Sequence, residues 1–286
     1  PIIHVEGIVP MHDPHDADLH FDVDGNDFEW WKFEVPRIRG KIDWVGEHLA
    51  VRNVTSDFYF GKASGNAAFD FLTNHTANFK FDLVATDASL HLLARDLTDG
   101  KTNKLEGLLN LRLEVTDANS GNWQHLDGAG RVDLRDGLIW DIPIFGVFSP
   151  ALDTIMPGLG SSRARQGSAT FTITNGVIDS EDLKVETLMA RLRYWGTLDL
   201  QGAVNARMEA ELFRNTWVVG PVLSLALWPV SKTFEYKITG TIHKPKSDPV
   251  FIPKVLFFPL HPVQTIKDMI PPPEQTNTNL FPDVPP

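Results

Sequence analysis

The sequence predicts a mainly β protein, an antiparallel β-meander interrupted by two short amphipathic helices. Short segments alternate apolar and polar residues with period two, which places one set of side chains on each face of a strand. Dipeptides that tolerate positive φ stand between several of these segments and fit hairpin turns. Two longer stretches abandon the alternation for spacings of three and four, the helical period.

The strands follow in order. Ala67, Phe69 and Phe71 share one face, and Phe79, Phe81, Leu83 and Ala85 form the next alternating set. Leu109, Leu111, Leu113 and Val115 alternate with Asn110, Arg112 and Glu114, and Phe171 and Ile173 alternate with threonines. Val204, Ala206, Met208, Ala210 and Leu212 alternate with Asn205, Arg207, Glu209 and Glu211. Phe234, Tyr236, Ile238 and Ile242 close the series. One wet and one dry face is the pattern of an antiparallel sheet. Asp136-Gly137, Asn175-Gly176 and Gln201-Gly202 are read as turns. Residues 143–157 (PIFGVFSPALDTIMP) predict one helix, its main part starting at Ser149-Pro150, where serine caps and proline suits the first turn. Residues 216–231 (TWVVGPVLSLALWPVS) predict a second, apolar on most sides. Prolines 249, 253, 259 and 262 exclude a long regular helix over 249–270. From about residue 271 the composition is that of a disordered terminus.

Bulk properties narrow the function. At 286 residues, 42% hydrophobic and 22% charged, the chain has the composition of a folded protein. A net charge of −11 argues against nucleic acid and against passive docking on anionic headgroups. The absence of cysteine removes disulfides, thiol catalysis and thiolate metal sites. No apolar run reaches the ~20 residues of a spanning helix. A chain starting at Pro1 is expected to be a fragment or a processed form.

Candidate chemistry concentrates near the N-terminus, where His12, Asp13, His15, Asp16, Asp18 and His20 precede Asp22, Asp24 and Asp27. These are ligand types for zinc or manganese. The spacing matches neither HExxH nor a calcium loop, so a solvated acidic loop is the better reading and no metal or other cofactor is expected. There is no GxSxG elbow and no phosphate loop, so an enzyme is not expected.

From Leu126 to Pro249 the sequence resembles the C-terminal region of the AsmA-like family of envelope proteins. The parts are a hairpin carrying Gly128, Gly130, Val132, Leu134, Gly137, Ile139 and Trp140, then the helix after Ile142-Pro143. The hairpin from Ser168 to Ile178, the strand from Tyr194 to Gly202, the second insertion and the strand from Tyr236 to Pro245 follow in the family's order. The resemblance implies a curved antiparallel meander forming an open, taco-like hydrophobic groove. It also implies a periplasmic setting, inner-membrane anchoring by a segment outside this chain, and phospholipid or another acyl lipid, alongside envelope membrane proteins, as partners in outer-membrane biogenesis.

On that reading residues 1–39 are unassigned, 40–125 extend the groove, 126–248 form the AsmA-like domain and 249–286 are a proline-rich tail. The expected groove lining is Phe145, Phe148, Leu152, Phe171, Ile173, Leu192, Tyr194, Leu198, Val204, Met208, Leu212, Phe234, Tyr236 and Ile238. Shielding acyl chains needs no catalytic group, because each CH₂ kept from water is worth about 0.8 kcal/mol. From periodicity alone, the same residues fit the dry core of a closed structural or protein-binding domain at least as well. An adhesin-like domain is a third reading, against which the helices between strands count.

Overall fold

The computed structural model describes residues 2–9, 16–30, 32–73, 75–97, 104–155, 158–212 and 233–251. Fourteen strands form one antiparallel sheet in which each strand pairs with its sequence neighbours, in the order β1 to β14, and the sheet does not close into a barrel. The strands are β1 (Ile2–Ile8), β2 (Asp18–Trp30), β3 (Phe33–Val45), β4 (His48–Phe58), β5 (Gly61–Phe71), β6 (Ala77–Ser89) and β7 (Glu106–Asn119). The second half comprises β8 (Asn122–Leu138), β9 (Ala164–Thr174), β10 (Val177–Thr187), β11 (Ala190–Asp199), β12 (Ala203–Leu212), β13 (Thr233–Thr241) and β14 (Lys244–Phe251).

Every alternating segment read from the sequence lies in one of these strands, apart from Ile242 just beyond β13. Residues 1–39, unassigned by sequence, contribute β1, β2 and the first half of β3 to the same sheet. Asn175-Gly176 turns β9 into β10 with both residues at positive φ (51° and 72°), the geometry of a two-residue hairpin. At Gln201-Gly202, Asp199 accepts the N–H of Gln201 and of Ala203 through its carboxylate. Asp136-Gly137 is not a turn. It lies inside β8, with Asp136 at φ 51°, and Gly137 pairs with Ala164 of β9. Asp136 therefore makes a bulge, the other structure that a left-handed Asp supports.

The predicted helix at 143–157 is two pieces, α2 (Pro143–Gly146) and α3 (Ser149–Ile155). Pro150 has no N–H to donate to Gly146 four residues back, which explains the break. The Ser149 hydroxyl donates to the Gly160 carbonyl at 2.7 Å. A helix that the sequence reading missed, α1 (Leu90–Leu97), follows β6. The expected helix at 216–231 and the tail beyond Phe251 lie outside the described residues. Pro249 belongs not to a tail but to β14, opposite Tyr236. Proline is tolerated there because β14 is an edge strand among the described residues.

The sheet curls. Six strand spacings separate β8 from β14, roughly 29 Å across a flat sheet at ~4.8 Å each. Yet α2, one tight turn (Ile142 N–H to the Ile139 carbonyl, 2.9 Å) past the end of β8, touches β14. Bulges bend the strands as well, at Arg52–Thr55 in β4, Ala85–Ala88 in β6, Arg135–Leu138 in β8 and Ser180–Leu183 in β10.

Candidate functional site

Register builds one apolar face across the sheet. A single row runs Val5, Phe21, Ile42, Val51, Ala67, Phe81 and Val115, each directly opposite the next. Beside it run Leu19, Trp44, Leu49, Phe69 and Phe79. From β2 to β9 much of this face is half buried: Phe21, Ile42, Trp44, Val51, Phe69, Phe79, Phe81, Leu83, Leu111, Val132 and Phe171 all keep partial contact with solvent, while Val115, Ala118, Leu126 and Ile173 form a small buried cluster. Rings tile its middle, with Phe79 stacked on Phe69 (5.8 Å) and on Phe81 (6.4 Å). Glycine keeps the floor low at one point, because a Cβ on Gly130 would stand 2.3 Å from the Phe171 ring.

Beyond β9 the same face is filled. Phe145, Phe148 and Leu152 of α2–α3 pack onto Leu192, Tyr194, Val204, Met208, Phe234, Tyr236 and Ile238, every one of them buried and Leu152, Met208 and Phe234 at 0% exposure. Phe148 meets Tyr236 edge-on at 5.3 Å, and Phe145 meets Tyr194 at 5.2 Å. Ile173 is buried in a second cluster with Val115, Ala118 and Leu126. Of the expected lining, only Phe171 and Leu198 are half exposed; Leu212 pairs with Ala190, and its side chain is not among those described. On β11–β13 the residues expected to line a groove therefore pack with Phe145, Phe148 and Leu152 in one buried cluster. The open apolar surface is on β2–β9 instead. Its signal was present in the sequence, since Leu19, Phe21 and Val23 alternate with His20 and Asp22.

The opposite face is polar and laced with ion pairs. Arg39 reaches Asp24 at 3.0 Å, Lys41 reaches Asp22 at 3.3 Å, and Arg52 reaches Asp43 at 3.3 Å. His20 lies between Asp43 (2.6 Å) and Asp18 (3.2 Å). The hydrogen bond to Asp43 raises the His20 imidazole above its ordinary value and holds the Asp43 carboxyl below the usual carboxylate range. Of the acidic N-terminal cluster, His12, Asp13 and His15 lie outside the described residues. Among the described residues no group of three or more His, Asp or Glu is placed to hold a metal ion. None of the described helices is long and apolar enough to cross a membrane.

Side chains also repair the bulges. The Asn53 N–H, freed from the β4 ladder, donates to Asn66 (2.9 Å), and the Asp87 N–H of β6 donates to Asn110 (2.7 Å). Opposite the β10 bulge, Asp182 accepts the Thr170 N–H (2.7 Å) and its hydroxyl (2.8 Å). The arrangement offers a half-exposed apolar face across β2–β9. No family model, curated protein or solved structure matches the chain.

Proposed function

We propose that the protein is a non-catalytic module that shields acyl lipid on the half-exposed apolar face of β2–β9. The observation that carries this is the row from Phe21 to Phe81, continuous in register and half open to water before it ends on the buried Val115. Leaving so many large apolar side chains wet in one contiguous face is unusual for a monomer, whose larger apolar patches mark binding sites. An acyl chain laid along the face recovers about 0.8 kcal/mol for each CH₂ it removes from water. The resemblance to AsmA-like proteins supports the same reading and adds its setting, a bacterial envelope with phospholipid as the cargo.

The test is native mass spectrometry of the purified chain, with a fluorescent fatty acid titrated alongside. Co-purified phospholipid and saturable uptake are expected. Phe81→Asp should abolish uptake while leaving the β-type circular dichroism intact, because Phe81 is on the open face. Met208→Asp should unfold the C-terminal half instead, since it buries an unpaired carboxylate. The filled interior of β9–β13 favours a rival reading, a structural domain that binds other proteins. A lipid-free chain that takes up no fatty acid leaves that reading standing and removes ours.

A further inference from the structure

The two rims of the sheet differ. Connections from even to odd strands carry α1 after β6 and α2–α3 after β8, and α1 lies along that rim from β7 and β6 back to β3. It is fastened there by the Tyr59 hydroxyl donating to Asp96 at 2.7 Å and by Lys32 donating to the Leu97 carbonyl at 3.3 Å. From β3–β4 to β11–β12, five successive connections from odd to even strands are short. Each exposes a large apolar side chain: Val45, Phe71 with Leu72, Trp123, Val177 and Leu200, all between 37% and 56% exposed.

Three features set this rim apart from scattered surface apolarity. It is stiff, because backbone bonds join its hairpins from turn to turn: Phe71 to Glu47 (2.9 Å), Ser120 to Ala77 (2.9 Å), Gly176 to Leu126 (2.9 Å) and Leu200 to Gly176 (3.1 Å). It runs straight into the open face, since the Trp123 ring meets Phe79 edge-on at 5.8 Å and Phe71 meets Trp44 at 6.4 Å. It is also free of Lys and Arg as far as β12; the β13–β14 connection beyond it brings Lys244. Residues 45–48, 71–77, 119–122, 174–177 and 199–203 contain neither Lys nor Arg.

We propose that this rim of hairpin tips docks on a zwitterionic phospholipid bilayer, with Trp123 and Phe79 forming the portal by which an acyl chain passes onto the apolar face. The proposal rests on the lipid-shielding reading. A row of tips spanning eight strand spacings, about 38 Å measured along the curled sheet at ~4.8 Å each, fits an extended surface better than a protein groove. The absence of Lys and Arg, in a chain of net charge −11, selects a headgroup layer without net negative charge. Aromatic and aliphatic tips suit the headgroup boundary, where Trp is at home. The opposite rim also exposes Phe60 and Leu188, but helices interrupt it.

The test is flotation of the full chain with phosphatidylcholine vesicles, in low and high salt. Binding that is insensitive to salt, and weakened when phosphatidylglycerol is mixed in, is expected. The double variant Leu72→Asp, Leu200→Asp, at tips outside the portal, should lose vesicle binding at least tenfold yet still take up free fluorescent fatty acid. Phe60→Asp with Leu188→Asp should bind as the parent does. Phe81→Asp, which blocks the face, should still float with vesicles; this separates docking from shielding. The proposal is overturned if the parent chain stays off the vesicles, if the tip variant binds unchanged, or if the Phe60 and Leu188 pair proves to be the one required.

Discussion

Tyr194 carries a phenol hydroxyl into an apolar interior where no hydrogen-bond partner meets it among the described residues. Burial alone pushes its ionisation far above the ordinary tyrosine value. A buried hydroxyl without a partner costs about 1–3 kcal/mol, so Tyr194→Phe should stabilise the protein by about 1 kcal/mol in urea melts. A loss instead would mean that the hydroxyl has a partner. His20 works in the opposite sense, on the surface. Its bond to Asp43 raises its pKa from 6.5, so the folded chain holds that proton more tightly than the unfolded one. The stabilisation is complete below the unfolded pKa and is lost as pH rises through the raised value. Asp43, with its pKa lowered, contributes above its unfolded pKa and loses that contribution as pH falls. The difference in Tm between the parent and His20→Gln should therefore be largest near about pH 5–6 and shrink above about pH 8. A difference that ignores pH would dissociate the histidine's charge from stability. None of this was legible in the sequence, where His20 stood only as one member of an acidic cluster; pairing across β2 and β3 chose its partner.

Strands were the legible elements, because period two survives any tertiary context that keeps one face dry. The helices were less so. Leu90, Leu93, Ala94 and Leu97 have helical spacing, but eight residues are too short to outweigh the alternation on either side. Asp136-Gly137 shows why turn dipeptides mislead: the same positive φ serves a hairpin or a bulge, and only the neighbouring strand decides. Asp27 in β2, Asn53 in β4, Asp87 in β6 and Asp136 in β8 all adopt it, one in each of four successive even-numbered strands. In β4, β6 and β8 the residue marks a bulge, an element-level recurrence invisible in residue spacing, whereas β2 keeps its register across Asp27. Glycine at the β8–β9 crossing is the sharpest local requirement. Gly130→Ala should cost about 1–3 kcal/mol through overpacking against Phe171. In a Phe171→Ala background the penalty should shrink, as a double-mutant cycle would show. Equal penalties in both backgrounds would place the strain at the Arg112 carbonyl, which stands 2.8 Å from the added Cβ.

At the scale of the molecule, the open meander was legible but the division of its apolar face was not. Periodicity says which side chains share a face and nothing about what lies on it. Leu192 and Met208 look like Phe21 and Phe81 in sequence, yet the first pair packs in one buried cluster with Phe145, Phe148 and Leu152 and the second stays half wet. Ion pairs on the other face add little individually, since exposed pairs are typically worth about 0–1 kcal/mol. The topology has an energetic consequence of its own. Since each strand is bonded only to its predecessor and successor, the sheet behaves as a one-dimensional array of coupled units, with stability passed between nearest neighbours. Such an array has no obligation to unfold all at once. Native-state hydrogen exchange should show β1–β3 opening at low free energy and β11–β13, over the packed interior, opening last. A single exchange free energy across all fourteen strands would contradict that picture. If the gradient holds, the molecule can melt at one end while the other stays intact, so mutations near β2 and near β12 would act on different cooperative units rather than on one shared melting temperature.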